Sequence, residues 1–283
     1  MSSTSANDAM AQPASDAGSH GIGLRVVSAL VMVPVALGLA YAGGFAFNLL
    51  VLGSAVLMVH EWNGLSSGRA SIASAATGGA VVGCVGIAAV GHSDAGLAAV
   101  IPMAGLTLAA AWLAGMRNVW PPLGVVYVAV PSIAVIWLRA DESLGLETII
   151  WLFAVVWATD IGAYFAGRGI GGPKLAPRIS PNKTWAGLGG GVMAAALVGA
   201  VTAAVLDVPG GLALILFSAV LAVVAQIGDL AESVVKRHFG AKDSGQLIPG
   251  HGGVLDRLDG LMAAAPAVAL VALVSGEGAL IWQ

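Results

Sequence analysis

The segment from Asp229 to Gly260 reads "DLAESVVKRHFGAKDSGQLIPGHGGVLDRLDG". Asp229, Glu232, Ser233 and Lys236 recur at i, i+3, i+4 and i+7, so they share one face of a helix. Asp256 and Asp259, three residues apart, open the next helix. Between them lie Lys236, Arg237, Lys242, Asp243 and His251, with Gly245, Pro249, Gly250, Gly252 and Gly253 excluding a continuous helix. Carboxylates at two helix ends can hold a hard divalent cation, which prefers oxygen ligands and keeps substrate phosphates in its sphere. Lysines and arginines around them neutralise further phosphate charge. That combination suits phosphoryl or nucleotidyl transfer, where positioning and charge neutralisation supply most of the catalysis. Glu232 with Lys236 also fits a plain i,i+4 pair on a solvated helix. His251 suits a general base, a substrate hydrogen-bonder or a turn residue equally, and His238 reads as solvated.

A second polar segment, "TDIGAYFAGRGIGGPKLAPRISPNKTWAG", precedes it. Arg168, Lys174, Arg178, Asn182 and Lys183 are spaced by Gly and Pro in a chain that bends. Flexible amides and cations of this kind converge on an anion, although an ordinary cytoplasmic loop carries cations too. Asp160 lies eight residues before Arg168, about 12 Å into a helix at 1.5 Å per residue. A carboxylate there needs a polar cavity or a partner. The G-x-G-x-x-G at Gly167, Gly169 and Gly172 follows an apolar helix rather than a strand, which argues against a dinucleotide fold. His60 and Glu61 lack the H-E-x-x-H spacing, and the P-loop pattern is absent. Cys84 stands alone, which excludes a disulfide framework.

These segments must be positioned by membrane helices. The 283 residues are 58% hydrophobic and only 10% charged, with apolar runs of about 20 residues that match a ~30 Å hydrocarbon core. The expectation is an all-α polytopic protein with nine spans: 24–42, 45–61, 72–90, 95–115, 122–138, 148–167, 187–206, 210–228 and 258–275. Barrel-type alternation is absent. Residues 1–23 read as a disordered tail, 24–147 as N-terminal spans, and 148–283 as the catalytic region with polar loops 168–186 and 229–257. The first run ends in Ala40-Tyr41-Ala42, which resembles a signal-peptide cleavage site. Its length and the polar tail before it favour a retained span. With nine spans, every Lys and Arg except Arg139 falls on one side, which places the N-terminus and both polar loops in the cytoplasm. Trp62, Trp112, Trp120, Trp157 and Trp185 fall near span ends and read as an interfacial belt.

From about Trp157 onward the chain resembles the integral-membrane phosphatidate cytidylyltransferases, or CDP-diacylglycerol synthases. The resemblance rests on Ser233, Lys236-Arg237, Lys242-Asp243, Gly245, Ile248-Pro249, His251-Gly252-Gly253 and Asp256-Arg257-Leu258-Asp259, with Ser180-Pro181-Asn182-Lys183-Thr184-Trp185 upstream. It implies conversion of CTP and phosphatidic acid to CDP-diacylglycerol and pyrophosphate. It also implies Mg²⁺ near Asp229 and Asp256, a monovalent cation such as K⁺ beside it, an inner-membrane location and a homodimer. Asp229, Lys236, Arg237, Asp256 and Arg257 are then the expected catalytic residues. Expected substrate-binding residues are Asp160, Arg168, Lys174, Ser180, Asn182, Lys183, Thr184, Ser233, Lys242, Asp243, His251, Gly252, Gly253 and Asp259. Asp243 and Asp259 also suit further ligands or orienters.

Alternatives remain at this point. A CTP-using transferase acting on an ether lipid or a polyprenol phosphate shares the same motifs. A transporter would also carry an intramembrane Asp160 and broken helices, but not so many cations in paired loops. A binding protein or scaffold without turnover is the third. No nucleic-acid partner is expected.

Overall fold

The computed structural model describes residues 30–67, 71–209, 211–247 and 252–275. Its elements in chain order are α1 (Leu30–Ala42), α2 (Gly44–Ser66), α3 (Ile72–Ala89), α4 (Ser93–Leu113), α5 (Trp120–Arg139) and α6 (Gly145–Gly169), then β1 (Lys174–Ala176), β2 (Ser180–Thr184), α7 (Trp185–Val205), α8 (Gly211–His238) and α9 (Leu255–Ser275). The nine expected helices are therefore present among the described residues, and the chain is a polytopic, nearly all-α protein. Eight of them are long and apolar enough to cross a bilayer; the described part of α1 is shorter. In hydrocarbon only a helix satisfies every backbone polar group within its own segment, so each apolar run folds this way.

Helix ends follow local chemistry. Pro121 and Pro122 open α5, where the missing N–H is not needed. Thr184 caps α7 by accepting from the Gly187 amide at 3.0 Å. Arg139, the one basic residue expected on the outer side, donates from Nε to the Ala40 carbonyl at 2.7 Å and so caps the C-terminus of α1.

Two close helix pairs position the polar segments. In α7, Gly187, Gly191, Ala195 and Gly199 form a buried small-residue stripe. A Cβ on Gly191 would meet the Thr159 carbonyl at 2.9 Å, and one on Gly187 the Ala163 carbonyl at 2.9 Å. Such stripes let helix backbones touch, which is how apolar helices gain contact in lipid. The second pair is α8 with α9, where a Cβ on Gly228 would lie 2.9 Å from the Asp259 carbonyl. The core runs through both halves of the chain, from Phe47 and Val81 to Trp151, Leu221 and Val268.

Three details depart from expectation. Segment 168–186 is not simply a bending loop: β1 and β2 pair antiparallel, with Lys174 opposite Thr184 and Ala176 opposite Ser180. Helix α8 continues ten residues beyond its expected end at 228 and carries the Asp229–Lys236 face as ordered helix to His238. Trp62 is not interfacial. It is 3% exposed, donates Nε1–H to the Trp120 carbonyl at 3.0 Å, and packs on Tyr127 with ring centroids 5.1 Å apart. Trp120 in turn meets His238 and Phe239, whereas Trp112 and Trp185 are exposed.

Candidate active site

At one end of the bundle the hairpin β1–β2 meets the end of α8. The hairpin brings Lys183 to Asp229, Nζ to Oδ2 at 2.6 Å, and Arg237 Nε donates to the Ile179 carbonyl at 3.3 Å. The two polar segments, separated in the chain by the whole of α7 and most of α8, thus meet. A cleft of about 180 Å³ opens beside this contact, lined by Asp160, Tyr164, Asn182, Lys183, Thr184, Gln226 and Asp229 among others. Asp160 opens to that cleft together with the loop cation Lys183, which answers the difficulty of a carboxylate placed so deep.

A second cluster joins α8 to the start of α9. Lys236 Nζ lies 2.5 Å from Asp256 Oδ1 and 3.2 Å from Glu232 Oε2. Glu232 is 2% exposed, so this pair is buried rather than a solvated i,i+4 contact. Asp256 also accepts from the backbone amides of Ser244 and Gly253, both at 2.9 Å to Oδ2, and from Ser244 Oγ at 3.0 Å. Its carboxylate therefore ties the chain after α8 to the chain before α9. Donors fill the remaining lone pairs of Asp256, whereas both Glu232 oxygens are buried without a hydrogen bond and depend on the charge of Lys236. Asp259, one turn on, takes the Gly260 amide at 2.7 Å.

Other expected residues lie around these two clusters. Ser233 Oγ donates to Asp229 Oδ1 at 3.4 Å. Arg168 Nη1 reaches the hydroxyl of Tyr164, which lines the cleft, at 3.3 Å. Lys174 and Ser180 sit on the hairpin strands. Arg237 spends a second donor on the Ala241 carbonyl at 2.8 Å. Lys242, Asp243 and Arg257 are exposed beside the clusters. Gly252 has φ +87° and a glycine is needed there; Gly253 is buried. His251 lies outside the described residues.

One residue at the centre was not singled out by spacing. Glu61 of α2, 1% exposed, accepts from Ser244 Oγ at 3.0 Å, the Val254 amide at 3.0 Å and the Leu255 amide at 2.9 Å. The signal that finds it is simply a carboxylate inside an apolar span.

One end of the bundle thus brings carboxylates and ammonium groups together, partly buried at Lys236 and Glu232 and opening to a cleft at Asp160 and Asp229. Such an arrangement can clamp a polyphosphate and a divalent cation together. Among the described residues no three His, Cys, Asp or Glu side chains converge as a closed cage. Mg²⁺ does not need one, because it is held by one or two carboxylates plus substrate phosphates.

Comparison with known proteins agrees with this chemistry. The chain is 45% identical over 255 residues to a phosphatidate cytidylyltransferase of Brucella suis, covering 89% of this chain and 94% of that protein. It is 46% identical over 140 residues to the protein of that name in Staphylococcus epidermidis, covering 49% of this chain and 54% of that protein. To that of Bacillus subtilis it is 41% identical over 145 residues, with 51% and 54% covered. Residues 23–275, which include α2 with Glu61 as well as both polar segments, match the cytidylyltransferase family throughout. The chain belongs to the cytidylyltransferase family.

Proposed function

We propose that this chain transfers the cytidylyl group of CTP to phosphatidic acid at the cytoplasmic surface of the inner membrane. The observation that carries the reading is the pair of lysine–carboxylate contacts, Lys183–Asp229 and Lys236–Asp256, at one end of the bundle. The 45% identity to proteins named for this reaction supports the choice of substrates. The Lys and Arg bias of the polar segments supports the cytoplasmic side.

A phosphate oxygen of phosphatidate attacks the α-phosphorus of CTP. The bond from that phosphorus to the bridging oxygen breaks, and pyrophosphate leaves with the electron pair. The new phosphoanhydride is that of CDP-diacylglycerol. Lys183 and Lys236, each already facing a carboxylate, lie where they can turn to phosphate oxygens and lower the repulsion between two anionic substrates. Arg237, Lys242 and Arg257 add positive charge around them. The hairpin and α7 hold Asn182, Lys183 and Thr184 along the cleft, so binding there orients the nucleotide before reaction.

Asp229 and Asp256 would hold Mg²⁺. The donor set is oxygen only, and each carboxylate already faces a cationic nitrogen, as a metal-binding oxygen would be expected to. Asp229 has the more open lone pairs, while Asp256 offers the side that faces Lys236. Bound there, Mg²⁺ would supply neutralisation of the charge on the leaving pyrophosphate. A neighbouring monovalent cation and a homodimer belong to the same reading. Light scattering of the detergent-solubilised protein tests the dimer.

The test uses purified protein, phosphatidate in mixed micelles, α-labelled CTP and Mg²⁺. Labelled CDP-diacylglycerol with equimolar pyrophosphate is expected. Product formed only when polyprenyl phosphate replaces phosphatidate would overturn the acceptor assignment.

A further inference from the structure

We propose that Glu61 is a positioning residue of the active site: a carboxylate from the N-terminal spans that holds Ser244, Val254 and Leu255 in the geometry Asp256 needs. The inference rests on the reading above and adds a role for a part of the chain outside the motif-bearing half.

Glu61 lies on α2 and is fully enclosed. A buried carboxylate is tolerated only when donors fill its lone pairs. All three of its donors come from one short stretch, 183 to 194 residues away in sequence. The amides of Val254 and Leu255 are among the free N–H groups that any helix start leaves unpaired. Glu61 therefore caps α9 from another helix, at the end where a negative charge is favoured by the helix dipole. That cap sets the position of the first turn of α9, which carries Asp256.

Ser244 makes the connection direct. Its Oγ lies 3.0 Å from Glu61 Oε2 and 3.0 Å from Asp256 Oδ2. A hydroxyl has one proton, so it donates to one carboxylate at a time and links the two. The glycines of the motif now have a packing reason. A Cβ on Gly245 would lie 2.6 Å from Glu61 Oε1, and one on Gly253 2.6 Å from Glu61 Oε2. The segment approaches this carboxylate too closely for any side chain at those two positions.

Hydrogen–deuterium exchange and steady-state kinetics on the full-length protein in detergent test the proposal. Glu61→Gln replaces one acceptor oxygen by a donor, so at least one of the three bonds is lost without a volume change. Glu61→Ala removes all three. The expected result is at least tenfold faster exchange of the Ser244, Val254 and Leu255 amides, with α6 and α7 unaffected. A tenfold or greater fall in kcat accompanies it, with thermal stability of Glu61→Gln nearly retained. Ser244→Ala combined with Glu61→Gln is expected to be no worse than the poorer single variant, because both break one connection. Unchanged exchange in Glu61→Gln overturns the proposal, as does lost protection with full kcat, or kcat losses that multiply in the double variant. If Glu61→Ala accumulates poorly, Glu61→Gln decides alone. The exchange readout does not depend on turnover. A wild-type protein that fails to make CDP-diacylglycerol yet loses protection in Glu61→Gln would sink the enzymatic reading while leaving Glu61 as the residue that holds the segment.

Discussion

Lys236 Nζ sits between Glu232 Oε2 at 3.2 Å and Asp256 Oδ1 at 2.5 Å, with all three side chains largely withdrawn from solvent. One ammonium thus compensates two carboxylates from different helices, and α8 and α9 are joined through it. Removing it leaves Glu232 buried with no compensating charge, and Asp256 with only its Ser244 and Gly253 donors. Lys236→Ala is expected to destabilise by roughly 3–5 kcal/mol, the usual effect of breaking a buried pair, and to abolish turnover. Adding Glu232→Gln should recover part of the stability and none of the activity. Thermal unfolding and CTP turnover on both variants check this; full recovery of turnover would remove Lys236 from the chemistry.

Asp229 has a different exposure and a different expected effect. Its carboxylate is 27% exposed, and its partner Lys183 comes from the hairpin. Asp229→Asn should leave the fold intact, because the amide keeps an oxygen facing the buried Lys183 Nζ. The concentration of Mg²⁺ giving half-maximal rate should rise at least tenfold. A Mg²⁺ titration identical to wild type would show that Asp229 is not a metal ligand.

Chelation should separate activity from stability. A metal held by one or two carboxylates together with substrate phosphates leaves the substrate-free fold without need of it, unlike a zinc finger. Excess EDTA is expected to stop turnover reversibly while shifting the unfolding temperature of the substrate-free protein very little. A large downward shift would point to a structural metal instead.

Gly252→Ala and Gly253→Ala should fail for different reasons. At Gly252 the left-handed φ of +87° makes any side chain strained by roughly 1–2 kcal/mol. At Gly253 the added Cβ runs into Glu61 and Ser244. The loss of thermal stability from Gly253→Ala should therefore be smaller in a Glu61→Ala background than in the wild type, while that from Gly252→Ala should be the same in both. Equal relief in both would sink the steric account.

Arg139→Ala serves as a control far from the site. It removes a C-cap from α1, so a loss of about 1 kcal/mol is expected, with kcat unchanged. A loss of activity would mean that the outer end of the bundle is coupled to the reaction.

The sequence by itself determined the helices, because a run of about 20 apolar residues in lipid has few other ways to satisfy its backbone. It also marked where a polar site was to be sought, since Asp229, Lys236 and Asp256 announce themselves as charges in an apolar chain. Helical period even put Asp229, Glu232, Ser233 and Lys236 on one face without any tertiary knowledge. Pairing was another matter. That Lys183 belongs to Asp229 and Lys236 to Asp256 depends on how the hairpin folds over the end of α8, and local spacing carries no record of that. The hairpin itself was hidden by its Gly and Pro content, which reads as loop until two strands find each other. Trp62 looked interfacial by position along the chain, yet Trp120 and Tyr127 close over it. Glu61 was the least legible, because its donors are backbone amides and one hydroxyl more than 180 residues away. Backbone donors have no letter in a sequence, so only the packing of α2 against the start of α9 decided that this carboxylate belongs to the site.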